Sequence, residues 1–230
     1  MSGKNNFPFS AVIFDLDGTL VDSEDNYVAS DGKILTSFGI EYTPELRRRI
    51  IGRGIDVFVG ILINEHGVKM TPDELLAMKD KYYLDIARTN TRVFPEMQIL
   101  LDKFKELDIP MAIASGSSQT TVEEIVKICG IQDYFSVLLS SVGLFPGKPE
   151  PDIFLETAKQ LGVPPGKCLV LEDSPHGVKA AISARMKVVG IPTLTQPPLD
   201  PVFEEADLFY PQGMSTFKAA DVLKHWFVGV

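Results

Sequence analysis

The stretch from Ala11 to Leu20 reads AVIFDLDGTL, an apolar run that ends in two aspartates and a glycine. Short continuous apolar runs are typical of strands that are covered on both faces of a sheet. The same kind of run recurs along the chain, mostly followed by a helical pattern: MAIA (Met111 to Ala114), SVLLS (Ser136 to Ser140), CLVL (Cys168 to Leu171) and VVGI (Val188 to Ile191), with a last weak strand near Leu208. This alternation predicts an α/β fold with a doubly wound, mainly parallel sheet.

One long stretch interrupts the alternation with helical signals only. Within it, Thr43-Pro44 opens one segment, and Thr71-Pro72-Asp73-Glu74 combines an N-cap, a first-turn proline and a capping-box glutamate. We therefore predict a helical insertion over residues 23–90, placed within a core that consists of residues 1–22 and 91–230. In the core, helices are expected at 96–107, 120–129 and 152–161.

Composition narrows the class of protein. The 230 residues are 45% apolar and 23% charged, which is typical of a globular protein. A net charge of -9 argues against a nucleic-acid surface, so an anionic substrate must be held locally. No apolar run is long enough for a membrane helix, and Cys129 and Cys168 are best interpreted as reduced, buried thiols. We expect a cytoplasmic protein without a membrane or nucleic-acid partner; the sequence does not indicate its oligomeric state.

The two aspartates at the end of the first run are the first chemical signal. In extended backbone Asp15 and Asp17 project to the same side, because a strand repeats every two residues. Their repulsion is costly unless a cation or a shared proton relieves it, and Gly18 allows a sharp turn beside them. An isolated D-x-D-G is more often a simple turn with an Asx cap. The pair therefore needs support from elsewhere in the chain.

Three further polar motifs follow later strands: Ser115-Gly116-Ser117-Ser118, Gly147-Lys148-Pro149 and Glu172-Asp173-Ser174. Taken singly they would be an N-cap, a solvated lysine and a helix cap. In an open parallel sheet, however, the carboxyl ends of the strands meet at one crevice. Together with Asp15 and Asp17, these motifs supply the groups needed to bind Mg²⁺ and a phosphate.

These motifs together resemble those of a known family. The segments FDLDGTLVDS, ASGS, GKPEPDIF and VLEDSPHGVKAA, between Phe14 and Ala181, match in order and approximate spacing the haloacid dehalogenase (HAD) superfamily, in particular its β-phosphoglucomutase-like phosphatases. The resemblance implies that residues 1–22 and 91–230 form a Rossmann-like catalytic core and that residues 23–90 are an α-helical cap.

The resemblance also implies a role for each site residue. Asp15 would attack phosphorus and become an aspartyl phosphate, and Asp17 would serve as general acid and then general base, oriented by Thr19. Mg²⁺ would be held by Asp15, the backbone carbonyl of Asp17 and Asp173, with Glu172 bound directly or through water. The remaining phosphate oxygens would be bound by Ser115, the Gly116 amide and Lys148.

The expected reaction is hydrolysis of a small phosphate ester, such as a sugar or polyol phosphate. A sugar-phosphate mutase is the nearest alternative, but Tyr27 and Ile55 stand where the mutase branch has a histidine and an arginine, with Arg53 nearby as a substitute. A non-catalytic binding protein on the same fold would require the loss of a catalytic group, and none is lost. The cap residues that could face the cleft are Arg53, Tyr27, Tyr83 and Arg88.

Overall fold

The computed structural model describes residues 7–50 and 55–226. Its strands are β1 (Ala11–Phe14), β2 (Val21–Asp22), β3 (Arg92–Val93), β4 (Met111–Ser115), β5 (Val137–Ser140), β6 (Cys168–Glu172), β7 (Lys187–Gly190) and β8 (Leu208–Phe209). Its α-helices are α1 (Glu24–Ser37), α2 (Pro44–Ile50), α3 (Ile55–Gly60), α4 (Pro72–Asn90), α5 (Pro95–Glu106), α6 (Gln119–Ile128), α7 (Asp152–Leu161), α8 (Pro175–Ser183) and α9 (Ala219–Trp226).

A parallel sheet of six strands forms the centre of the structure. The strand order is β5-β4-β1-β6-β7-β8, and each neighbouring pair is parallel. Strand β1 lies between β4 and β6, so polar groups that follow these three strands come out side by side. The predicted Rossmann-like, doubly wound sheet is confirmed, and the predicted core strands and helices occur within one or two residues of their expected bounds.

Apolar residues on both faces hold the sheet between two helical layers. Along β1 all four side chains are buried: Val12 and Phe14 belong to one core cluster and Ala11 and Ile13 to the other. This two-sided burial explains why the strand is a continuous apolar run instead of an alternating one.

Helices α1 to α4 supply the cap and bury a third apolar cluster, which includes Leu35, Phe58 and Leu75. The predicted capping box is present, because Thr71 accepts a hydrogen bond from the Glu74 amide and the Glu74 carboxylate accepts one from the Thr71 amide. The division into core and cap at the boundaries given above remains a prediction.

The sequence did not indicate the ribbon that joins the cap to the core. Strands β2 and β3 form a two-stranded antiparallel sheet, with Val21 opposite Val93 and Asp22 opposite Arg92. Each strand has only two residues, which is too short for an alternating pattern to be recognised. The chain thus enters and leaves the helical insertion through neighbouring strands.

The sequence also led to expectations about the two cysteines and about membrane-spanning helices. Cys129 and Cys168 are free thiols; Cys168 is buried and Cys129 half-buried. Across the described residues, we find no helix with the length and apolar character needed to span a membrane.

Candidate active site

A cavity of about 140 Å³ lies between the carboxyl ends of the central strands and the cap helices. The sequence predicted seven site residues, and the cavity wall contains all of them except Glu172: Asp15, Asp17, Ser115, Gly116, Lys148 and Asp173. Glu172 is fully buried and contacts Lys148. The structure therefore brings together residues that lie up to 158 positions apart, as read from Asp15 and Asp173.

Lys148 is the central cation of this site. Its ammonium group lies 2.5 Å from Asp15 Oδ1 and 2.6 Å from Glu172 Oε1, and it donates to the Ala114 carbonyl oxygen over 3.1 Å. Only 8% of its side chain is exposed. Desolvation alone would lower the pKa of Lys148, but the charges of Asp15 and Glu172 outweigh it and the pKa is raised. Lys148 therefore stays charged.

The carboxylate of Asp15 is almost as deeply buried as this lysine. Desolvation raises the pKa of Asp15 well above its ordinary value; the Lys148 charge opposes this, whereas the Glu172 and Asp173 carboxylates add to it. One ammonium thus faces three neighbouring carboxylates. This surplus of negative charge away from bulk water is a physical reason for a cation to bind here.

Glu172 is held in a fitted recess. Its Oε2 accepts hydrogen bonds from the amide and the hydroxyl of Ser174 at 2.9 and 3.0 Å. A Cβ atom on Gly177, in the first turn of α8, would lie 1.8 Å from the Glu172 carboxylate. Only glycine leaves room for this side chain, so the recess fixes Glu172 beneath Lys148.

Asp173 points to the other side of the chain, as expected for consecutive residues in extended backbone. Its oxygens accept hydrogen bonds from Thr193 at 2.5 Å and from Thr19 at 3.2 Å. Desolvation and the Glu172 charge raise the pKa of Asp173 to about 7. A Cβ atom on Gly18, which has a φ of 78°, would lie 2.5 Å from Asp173 Oδ2, so the turn after Asp17 requires glycine for conformation and for space.

The carboxylate of Asp17 is held by three side chains for which the sequence predicted no such contact. Tyr83 donates to its Oδ1 over 3.0 Å, and Ser117 and Tyr27 donate to its Oδ2 over 2.7 and 3.1 Å. Desolvation and the Asp17 charge raise the pKa of both tyrosines well above the ordinary value, so both hydroxyls remain donors. The two rings stack with centroids 4.2 Å apart.

The role expected for Thr19 needs correction. We expected it to orient Asp17, but its hydroxyl donates to Asp173. The reason is geometric, because Thr19 follows Gly18 in the tight turn and faces the end of β6. The tyrosines take over the contact with Asp17.

The turn after β4 presents the predicted phosphate-binding groups. The Ser115 hydroxyl lies in the wall of the cavity and accepts a hydrogen bond from the Ser117 amide over 3.0 Å. The N-cap of α6 is Ser118, whose hydroxyl also donates to the cap residue Asp80 over 2.6 Å. The whole turn, from Ser115 to Ser118, lies in the wall of the cavity.

The cap residues that we expected to face the cleft divide into three groups. Tyr27 and Tyr83 line the cavity. Arg88 does not, because its side chain is 58% exposed and pairs with Asp85 on the outside of α4. Arg53 lies outside the described residues. Sequence reasoning missed Asp31 and Lys79, which form an ion pair of 2.5 Å in the cavity wall.

The donor set fits a hard divalent cation in its chemistry, because Asp15, Asp173 and the Asp17 carbonyl would supply oxygen ligands. Within residues 7–50 and 55–226, however, no three acidic, histidine or cysteine side chains converge as a ready metal cluster. Lys148 instead compensates Asp15 and Glu172, while threonines hold Asp173.

The fold and this arrangement of groups define a hydrolase with a Rossmann-like α/β core and a helical insertion over the carboxyl edge of its sheet. The family model for haloacid dehalogenase-like hydrolases matches residues 12–191. The chain belongs to this family, and its fold is that of the β-phosphoglucomutase-like branch, so the predicted family and the predicted class of enzyme are confirmed.

Individual relatives agree with this placement. A Drosophila melanogaster protein named "Probable pseudouridine-5'-phosphatase" is 32% identical over 188 residues, which cover 78% of this chain and 80% of the relative. A phosphorylated carbohydrates phosphatase from Thermotoga maritima is 31% identical over 178 residues, covering 76% and 81%. The crystal structure of β-phosphoglucomutase from Clostridium difficile superposes with a TM-score of 0.79 at 22% identity, covers 95% and 97% of the two chains, and supports the fold.

Proposed function

We propose that this protein is a Mg²⁺-dependent phosphatase that hydrolyses a small phosphorylated metabolite, a sugar or polyol phosphate, through an aspartyl phosphate on Asp15. The observation that carries the proposal is the position of Asp15. Asp15 directly follows β1, and its carboxylate contacts Lys148 in the wall of the cavity that also contains the Ser115 turn. The names of the two phosphatase relatives support the same class of reaction.

The nucleophile and its surroundings would act as follows. The phosphate of the substrate binds between Lys148, the Ser115 hydroxyl and the Gly116 amide, which places phosphorus in front of Asp15. An oxygen of Asp15 forms a bond to phosphorus as the bond to the leaving alkoxide breaks. Because Lys148 is held by Glu172 in the recess against Gly177, its charge stays fixed during this transfer.

Protons would be handled by Asp17. As an acid it gives a proton to the leaving alkoxide, and as a carboxylate it then takes one from the water that attacks the aspartyl phosphate. This second step releases inorganic phosphate and restores Asp15. Tyr83, Tyr27 and Ser117 hold both oxygens of Asp17, so its direction relative to Asp15 is set by the cap and by the β4 turn together.

The metal would be bound by Asp15, the backbone carbonyl of Asp17 and Asp173, with Glu172 as a direct or water-mediated partner. When bound, Mg²⁺ neutralises the negative charges of the nucleophile and the phosphate, which otherwise repel each other. The hydroxyls of Thr19 and Thr193 hold the carboxylate oxygens of Asp173 beside Gly18, which orients this side chain for the role.

The direct test is a screen of phosphorylated sugars, polyols, nucleotides and 2-phosphoglycolate, with released phosphate as the readout. We expect Mg²⁺-dependent release from one or more sugar or polyol phosphates. Absence of release from every compound, by folded protein in Mg²⁺, would contradict the proposal.

A further inference from the structure

The cap wall of the cavity contains an ion pair that is largely shielded from solvent. Lys79 Nζ, on α4, lies 2.5 Å from Asp31 Oδ1, on α1, and the two side chains are only 12% and 4% exposed. The ammonium also lies 4.1 Å from the ring centroid of Phe58 and 5.3 Å from that of Tyr27. Both partners line the same cavity as Asp15.

The Lys79–Asp31 pair affects the net charge of the cap wall, which would face the part of the substrate beyond the reacting phosphate. Among the described cap residues that line the cavity, Lys79 is the only lysine, arginine or histidine, and it stands against three acids, Glu24, Asp31 and Asp80. Glu24 is paired with Arg47 at 2.5 Å, whereas Asp80 is bound by the hydroxyls of Ser118 and Thr121 and by no described cation. The lining therefore carries no spare positive charge.

An anionic group in this part of the cavity would gain little from Lys79 and would meet the charges of Asp31 and Asp80. Separating Lys79 from Asp31 would leave a shielded carboxylate unpaired, which is costly. A neutral hydroxyl has no such penalty. The ammonium has three N–H donors, of which Asp31 takes one, and a carboxylate can accept several hydrogen bonds.

We infer that Asp31 and Lys79 are specificity-determining residues, which bind an uncharged, hydroxylated substrate body and disfavour phosphate esters that carry a second anionic group. This inference rests on the proposed phosphatase function and narrows its substrate class. In this inference, Asp31 neutralises the charge of Lys79.

The test compares two esters that differ in one group: 2-hydroxyethyl phosphate, which ends in a hydroxyl, and 2-phosphoglycolate, which ends in a carboxylate. We expect wild-type kcat/KM to favour the hydroxyl ester by roughly tenfold or more. Asp31→Asn should shift the ratio toward 2-phosphoglycolate by about tenfold, because the change removes a charge and keeps the shape of the side chain. Adding Lys79→Met to that variant should reverse the shift.

The matched control is Asp85→Asn, which removes the same charge from an exposed pair on α4. It should leave the ratio unchanged. A wild-type preference for 2-phosphoglycolate, or an Asp31→Asn ratio equal to that of wild type, would overturn the inference. Circular dichroism of each variant verifies that it is folded.

A binding measurement separates this inference from the proposed reaction. Calorimetric titration of both esters into the Asp15→Asn protein gives the same selectivity ratio without turnover. If no ester, p-nitrophenyl phosphate included, releases phosphate but the binding ratio shifts with Asp31→Asn, the proposed function fails and the inference stands. If phosphate is released and neither ratio shifts, the inference fails alone.

Discussion

The hydroxyl of Tyr83 donates a hydrogen bond to Oδ1 of Asp17 over 3.0 Å, although the two residues are 66 positions apart and belong to the cap helix α4 and the turn after β1. The contact ties the orientation of the proposed acid and base to the position of the cap. Tyr27 and Ser117 hold the other oxygen of the same carboxylate.

Replacing Tyr83 by phenylalanine should therefore lower kcat by about tenfold and leave KM within about twofold, since a hydrogen bond to a charged group contributes on the order of 1.5 kcal/mol. Steady-state phosphate release measures both constants. Tyr82→Phe, at the next position and outside the cavity wall, is the control and should behave like wild type. An unchanged kcat in Tyr83→Phe would show that this contact does not position Asp17.

Asp15→Asn should abolish turnover, with a loss of more than about 10⁴-fold, because an amide cannot form the aspartyl phosphate. The protein should remain folded, as Lys148 retains its contact with Glu172. Phosphate release and circular dichroism are measured together, with the exposed Asp22→Asn as the control of equal charge. Activity of folded Asp15→Asn near that of wild type would remove Asp15 as the nucleophile.

Activity should require Mg²⁺. Chelation with EDTA should remove phosphate release, added Mg²⁺ should restore it, and Ca²⁺ should inhibit, because its longer and looser coordination misplaces the carboxylate for attack. Asp173→Asn should raise the Mg²⁺ concentration needed for half-maximal activity by about tenfold or more. Full activity after exhaustive chelation would contradict the metal dependence.

The charge of Asp31 makes substrate choice depend on pH. Desolvation raises the pKa of Asp31, and the Lys79 charge only partly opposes this; Glu24 on the same helix and Tyr42 are the other titratable groups nearby. As the pH falls through this raised pKa, above the ordinary value of about 4, Asp31 becomes neutral and Lys79 is left uncompensated.

The ratio of kcat/KM for 2-phosphoglycolate to that for 2-hydroxyethyl phosphate should consequently increase as the pH is lowered. Titration of the esters themselves is the same for every protein variant, so the difference between wild type and Asp31→Asn isolates the contribution of Asp31. The free energy of unfolding should depend on pH for the same reason. Because the folded state holds the Asp31 proton more tightly than the unfolded state, the contribution of Asp31 to this free energy decreases as the pH rises through its folded pKa. Asp31→Asn should flatten both dependences, and a ratio that keeps its slope in this variant would assign the effect elsewhere.

β-Glucose 1-phosphate should give inorganic phosphate or no reaction, and glucose 6-phosphate should not accumulate even with a bisphosphate primer. A mutase must retain a bisphosphate intermediate, and the described cap cation in the cavity, Lys79, is already paired with Asp31. A coupled glucose 6-phosphate assay beside phosphate detection decides between the reactions. Primer-dependent glucose 6-phosphate formation that outpaces phosphate release would favour the mutase, and Arg53 would then be the first residue to replace.

Local sequence was sufficient to predict which polar residues meet at the carboxyl edge of the sheet, because most of these motifs directly follow a buried strand. Asp15 follows β1, Ser115 ends β4 and Glu172 ends β6. The order of the parallel strands therefore brings these residues together, independently of the conformations of the loops. The one-residue extension of β6 beyond the predicted CLVL run also explains why Glu172 and Asp173 point to different partners.

The cap contacts could not be predicted in this way. Tyr27, Asp31, Lys79 and Tyr83 lie on helices whose amphipathic pattern shows a buried face but not which loop or side chain it will meet. The pairing of α1 with α4 sets these partners, and it depends on the tertiary packing of the apolar cluster around Phe58. For this reason the sequence predicted which residues meet at the ends of the strands but not their contacts with the cap.

The ribbon of β2 and β3 has a consequence for how such an enzyme can change. Because Asp22 and Arg92 are paired across it, the two ends of the insertion lie about 5 Å apart, the usual spacing of opposed residues in antiparallel strands. We expect that a helical unit whose own ends meet at that spacing can be exchanged there without altering the strand order. The ribbon is thus a point at which evolution or a protein engineer can replace the cap helices while Asp15 keeps its position at the end of β1.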